Sequence, residues 1–196
     1  LCPRYSLTLD QEMTAYTGLV TLVQLSACVL GDKNKMSYDA GISYIRNVLE
    51  ATRTLQKNPD DLDARGIIML GASLSTSSRI GIGKEEPFAY DIYELEFLPE
   101  KLFGSTYRRS LTSIFPRFLA AMGRHHAAEV EKYCRDAFGF GSSIEESSRK
   151  LIELFSGFGA EMYFDGKITR EQVDSIPCRT ELTPNEVFEL MNSLIR

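Results

Sequence analysis

The chain has 196 residues, enough for one large domain or two small ones, and its 43% hydrophobic and 25% charged residues are ordinary for a soluble globular protein. A net charge of −5 with no basic stripe argues against nucleic acid as a partner. No run of about 18 apolar residues occurs, so no transmembrane helix and no membrane partner are expected.

The first residues, Leu1-Cys2-Pro3-Arg4, are neither a signal peptide nor a natural start. They suggest a fragment of a longer polypeptide, although processing would leave the same start. Cys2, Cys28, Cys134 and Cys178 are scattered, without a Cys-x-x-Cys pair, which argues against a zinc ribbon or a thioredoxin-like motif. They read as reduced thiols of a cytoplasmic protein, with Cys28 a small buried hydrophobe in an apolar run.

The hydrophobic pattern predicts helices nearly throughout. Residues 11–30 form a long, mostly apolar stretch with Thr8 or Asp10 as cap, too uniformly apolar for a surface helix and therefore central. Gly31-Asp32-Lys33-Asn34 breaks it, and Ser37 can cap a second helix carrying Ile42, Ile45, Val48, Leu49 and Leu55. Asn58-Pro59 then starts a third, in which Asp60, Asp61 and Asp63 suit the positive end of the helix dipole. That acidic cluster is fully explained as a helix N-terminus. Small residues dominate 66–78, allowing close helix packing. Gly81-Ile82-Gly83 follows no strand and lacks the third glycine of a dinucleotide fingerprint.

Residues 87–97 suggest another helix, ended by Pro99, and 105–122 a further one with a kink or break expected at Pro116. Residues 126–138 are amphipathic. Ser142 or Ser143, with Glu145 or Glu146, supplies a capping-box-like start for 144–158. Thr169 and Glu171 begin a short helix, and Thr183-Pro184 caps the last. Alternating β patterns are scarce. The expectation is one all-α domain over 1–196, a bundle of about eight to ten helices.

Two segments carry a family resemblance. Asn58-Pro59-Asp60-Asp61-Leu62-Asp63-Ala64-Arg65 resembles a helix-opening signature of the butanol-dehydrogenase branch of the iron-containing (group III) alcohol dehydrogenases. Phe88 to Glu96 sits where such enzymes place an aromatic, then His, then Ile-Glu-His-Glu; here Phe88 is the aromatic, Glu94 and Glu96 are the glutamates, and Asp91 and Leu95 replace the histidines. The family's helical domain is similar in fold to those of glycerol dehydrogenase and dehydroquinate synthase. It follows an N-terminal nucleotide-binding α/β domain. The resemblance implies that this chain is the helical half alone, so that NAD(P) would bind only with the missing N-terminal domain and no cofactor is expected here.

The resemblance also implies where a metal would sit. The family's Asp–His pair, four apart on the first helix and hence on one face, falls on Val20 and Gln24. The third ligand falls on Asp91 and the fourth on Tyr107, or on Ser105 if counted from the other side of a two-residue insertion. Val cannot ligate, neutral Gln and phenol are weak ligands, and no His precedes His125. Site residues are therefore read as absent: no catalytic, cofactor-binding or metal-binding residue. Tyr107, Arg108 or Arg109 could supply another electrophile, but the simpler reading has Tyr107 filling space and the arginines pairing with carboxylates. Glu94 and Glu96, two apart, diverge on a helix, and the adjacent His125-His126 point about 100° apart, unsuited to sharing a metal.

Function is expected to be that of a degenerate dehydrogenase domain, a pseudoenzyme kept as a binding or structural module. The alternative is the substrate-side domain of a working NAD(P)-dependent alcohol or aldehyde oxidoreductase whose cofactor domain lies outside this chain, and a third reading makes it a regulatory or assembly domain. A homo-oligomer and a small-molecule ligand in the vestigial cleft remain open as partners.

Overall fold

The long apolar run folds as helix α1, Gln11–Val29, opened by Asp10, whose carboxylate accepts the Met13 N–H. Its buried residues point all round the cylinder, among them Tyr16, Leu19, Leu22, Val23, Leu25 and Val29, so α1 is enclosed by its neighbours α2, α3 and α5. The computed structural model describes residues 1–84, 91–141 and 143–196, Asp91 through its backbone alone. Phe88, the opening of the expected 87–97 helix and Ser142 lie outside the described residues.

Among the described residues, a short 3-10 helix, Pro3–Thr8, and nine α-helices follow one another: α1, α2 (Lys35–Lys57), α3 (Leu62–Ser75), α4 (Asp91–Phe103), α5 (Tyr107–Gly123), α6 (Ala127–Phe138), α7 (Ile144–Gly157), α8 (Arg170–Asp174) and α9 (Pro184–Asn192). Only two isolated bridges, Asp32 with Lys84 and Phe164 with Ile195, have β pairing there. The all-α expectation holds. No helix described is long and apolar enough to cross a membrane.

Several boundaries differ from the sequence reading. Asn34, not Ser37, caps α2: its side chain accepts the Ser37 N–H at 3.0 Å. Ser37 lies one turn in, buried, and its hydroxyl accepts the Gly81 and Ile82 N–H groups instead. Asn58 ends α2 rather than starting α3, because its N–H still reaches the Thr54 carbonyl at 2.8 Å. The N-cap of α3 is Asp61, which accepts from the Ala64 N–H at 2.9 Å. Pro99 does not end α4 but lies inside it. A proline forfeits one helical hydrogen bond. Here Ile92, Leu95 and Leu98 bury one face and keep the helix going to Phe103, after which Gly104 turns with φ +64°.

The caps placed at Ser143, Thr169 and Thr183 are observed, the last two as full capping boxes with Gln172 and Glu186. Pro116 sits inside α5, and the Ser148 hydroxyl of α7 donates to its carbonyl at 2.7 Å. The small residues of α3 act as expected at Gly71, where a Cβ would lie 2.7 Å from Val48 Cγ2 of α2 and 3.0 Å from Thr21 Cγ2 of α1. The three helices can therefore cross closely at this point. Around Phe115, α5, α6 and α7 share an aromatic core, with Tyr133 edge-on at 6.5 Å and Phe155 stacked at 6.3 Å. No disulfide joins the four cysteines.

Candidate functional site

One face of α1 carries Val20, Gln24 and Cys28 at four-residue spacing. Val20 is half-buried against the apolar core. The Gln24 amide is engaged on both ends: Nε2 donates to the Tyr107 hydroxyl of α5 at 3.3 Å, and Oε1 accepts from the Ser75 hydroxyl of α3 at 3.2 Å. The Ser75 proton is shared with the Ala72 carbonyl at 2.9 Å, and the Ser75 carbonyl accepts from Cys28 Sγ at 3.3 Å. One glutamine thus ties together α1, α3 and α5. Tyr107 is 40% exposed, so this network reaches solvent. Of the two alternatives for the fourth position, Tyr107 is the one that meets Gln24, whereas the Ser105 hydroxyl donates locally to the Thr106 carbonyl.

Helix α4, packed against α5, carries a buried acid. Glu96 is only 6% exposed, and its carboxyl is pushed up to about 8, first by burial and then by the hydrogen bond and like charge of Glu100 one turn on. The Tyr93 phenol is raised by burial and by Tyr107, Cys28 and Glu96. Burial also raises Tyr107; its bond with Gln24 opposes that, and Glu96 and Glu100 add to it. Tyr93, Glu96 and Glu100 lie on α4, which packs against α5, the helix that carries Tyr107. The sequence reading paired Glu94 with Glu96, but Glu94 turns away to accept the Arg179 N–H at 3.4 Å. The relevant pair is Glu96 with Glu100, and its four-residue spacing was the available signal.

Lys84 closes the carbonyl end of α1, where its ammonium donates to the Ala27 carbonyl. Burial pulls Lys84 down to about 8, against the opposing effects of Cys28 and Asp32. Cys28 is raised by burial and lowered by Lys84; it is half-buried rather than a fully buried hydrophobe.

The other sequence candidates lie apart. Arg108 approaches Glu12 at 4.0 Å and Arg109 pairs with Glu161 at 3.0 Å, so both arginines meet carboxylates. His125 and His126 each face a different glutamate, Glu186 at 2.8 Å and Glu181 at 2.7 Å. Among the described residues, no group of three or more His, Cys, Asp or Glu side chains is placed to hold a metal. A cavity of about 500 Å³ lies at the opposite end of α1, lined by Gln11, Thr14, Thr52, Gln56 and Gly159 among others, away from the acidic cluster.

No protein-family model and no curated protein sequence matches the chain. Solved structures do. The NADH-dependent butanol dehydrogenase A of Thermotoga maritima superposes with a TM-score of 0.83 at 18% identity, over 99% of this chain and 55% of that one. An iron-containing alcohol dehydrogenase from Corynebacterium glutamicum gives 0.67 at 17%, over 99% and 55%. The chain has the fold of the helical domain of the iron-containing alcohol dehydrogenases. A sulfoacetaldehyde reductase from Bifidobacterium kashiwanohense, solved with NAD+, gives 0.75 at 14%, over 98% and 52%. The chain thus spans about half the length of the structures it matches. At these identities the likeness shows the fold alone.

Proposed function

We propose that this chain is an alcohol-dehydrogenase-like helical domain in which the metal-holding positions have been replaced, inactive on its own and serving as a binding or structural module. The observation that carries the reading is the double engagement of Gln24. At the position the resemblance gives to a metal-binding imidazole stands a neutral amide whose oxygen and nitrogen are both taken up, by Ser75 and Tyr107. Four residues earlier, Val20 offers only hydrocarbon. The donor set does not fit Fe²⁺ or Zn²⁺, which want several imidazole, thiolate or carboxylate donors together. What remains is a polar network of amide, hydroxyl and phenol groups, with the buried Glu96 carboxyl on the neighbouring helix α4.

A second reading keeps the chain as the substrate-side domain of an NAD(P)-dependent alcohol or aldehyde oxidoreductase whose cofactor domain lies outside it. The superposition of nearly the whole chain on about half of a butanol dehydrogenase and of a sulfoacetaldehyde reductase favours it. So does Glu96, whose carboxyl held near 8 would remain a proton donor at neutral pH.

Cofactor turnover separates the two. The 196-residue chain, alone and within any longer polypeptide that carries it, is assayed for NAD(P)H oxidation with short-chain aldehydes, with and without chelator. Neither is expected to turn over: loss of a metal electrophile alone removes several kcal/mol of barrier lowering, orders of magnitude in rate. Chelator-resistant turnover by a longer polypeptide would favour the second reading and mean a changed mechanism rather than a lost one.

A further inference from the structure

A cavity of about 330 Å³ lies between α5, α7 and α9, and its wall includes Arg117, a side chain only 6% exposed. Arg117 Nε donates to the Ser193 carbonyl at 3.1 Å and Nη1 to the Ser113 carbonyl at 2.7 Å, and the guanidinium lies over the Tyr163 ring at 4.8 Å. These partners are all neutral. Among the described residues no carboxylate pairs with Arg117. Burial pulls it down to about 10, against the opposing effect of the Tyr163 phenol, which still leaves it charged at neutral pH. Ser193 stands at the C-terminal end of α9, whose dipole offsets roughly half an elementary charge. A buried charge without a full counter-charge is costly, and an anion in the cavity would relieve that cost. Two more arginines line the cavity from exposed positions. Arg124 binds Glu189 at 2.9 Å, and Arg149 binds Glu146 and Glu153, each at 2.6 Å. Such exposed pairs are weak enough to exchange a carboxylate for a ligand. The acids on the wall are not paired with Arg117: Glu189 is held by Arg124, Glu186 accepts the Thr183 N–H and faces His125, and Glu145 is exposed.

We infer that this cavity is an oxyanion site: Arg117, with Arg124 and Arg149 at the rim, binds a small organic phosphate or carboxylate whose few carbons rest on Ala121, Ile152 and Leu190. The planar guanidinium fork matches both oxyanions. The volume falls within the range of small-molecule sites, and the three apolar side chains supply the hydrocarbon such sites carry. The site uses no residue of the Gln24 network, so it goes beyond the reading proposed above and either can fail without the other.

The test is an NMR titration of the chain's backbone amides with inorganic phosphate and, separately, with acetate, the ionic strength held constant with sodium chloride. The wild-type chain is expected to show saturable shifts centred on α5, α7 and α9 with at least one probe. A response to phosphate alone would mark the ligand as a phosphate, and to acetate alone as a carboxylate. Arg117→Lys, which keeps the charge and loses the fork, should weaken binding about tenfold. Arg117 also ties α5 to α9, so a second variant is needed in case this one does not fold. Arg124→Gln, at an exposed position, should weaken binding by a similar factor, whereas Arg53→Gln on α2, which removes an exposed arginine away from the cavity, should leave it unchanged. No saturable shift with either probe, equal affinity in wild type and Arg124→Gln, or the same weakening in Arg53→Gln would overturn the inference.

Discussion

Replacing Phe115 by Ala is expected to cost the fold about 3–5 kcal/mol, the range for a large aromatic removed from a packed core. Phe115 is 1% exposed on α5, with Tyr133 of α6 edge-on and Phe155 of α7 stacked against it. Three helices meet at this ring, so the cavity cannot close by the shift of one side chain. Tyr133 is further pinned by the bond its hydroxyl makes with Ser26 of α1, and so has little freedom to fill the space. In a domain of this size such a loss lowers the melting temperature by roughly 10 °C. Urea unfolding is the direct check: the midpoint should fall with little change in slope. Phe97→Ala, at a ring 45% exposed, serves as the control and should change stability by less than about 0.5 kcal/mol. Equal effects at the two positions would mean that the core does not centre on Phe115.

The second large effect is a gain. Val20→Asp, Gln24→His, Asp91→His and Tyr107→His together should give the cleft the donor set that the resemblance assigns to these positions, and with it affinity for Zn²⁺ at about one ion per chain. Without metal the variant should be less stable than wild type. Val20→Asp places a carboxylate on a half-buried apolar site, and replacing Gln24 and Tyr107 breaks the link between α1 and α5. Metal at a hundredfold excess over its dissociation constant should restore about 2.7 kcal/mol. A melting temperature insensitive to Zn²⁺ would mean that these four positions do not converge.

Local chemistry was the legible part of the sequence. The uniform apolarity of α1 announced a central helix, and Thr169 and Thr183 were legible as helix starts, though not as the capping boxes they form with Gln172 and Glu186. Where several good caps crowd together, as at Asn34 and Ser37 or at Asn58 and Asp61, composition cannot choose. The choice fell to the backbone, which carried α2 through to Lys57 and left Asn58 to finish it. Pro99 was misjudged because a single lost hydrogen bond weighs less than the apolar face made by Ile92, Leu95 and Leu98, and that face is a tertiary fact. The cleft was half legible. Gln24 and Tyr107 are 83 residues apart and only the family resemblance brought them together, while Ser75 was read simply as a small residue in a helix. The spacing of Glu96 and Glu100 was open to view, but the burial of Glu96 was not.

The most direct measurement of the central claim is metal content. The wild-type chain is loaded in turn with Fe²⁺ and Zn²⁺, desalted and analysed for metal, with the four-substitution variant as the positive control. The wild-type chain is expected to retain less than about 0.1 ion, because Val20, Gln24 and Tyr107 bring no imidazole or carboxylate to the cleft. About one transition-metal ion per wild-type chain, lost on changing Asp91 to Ala, would contradict it.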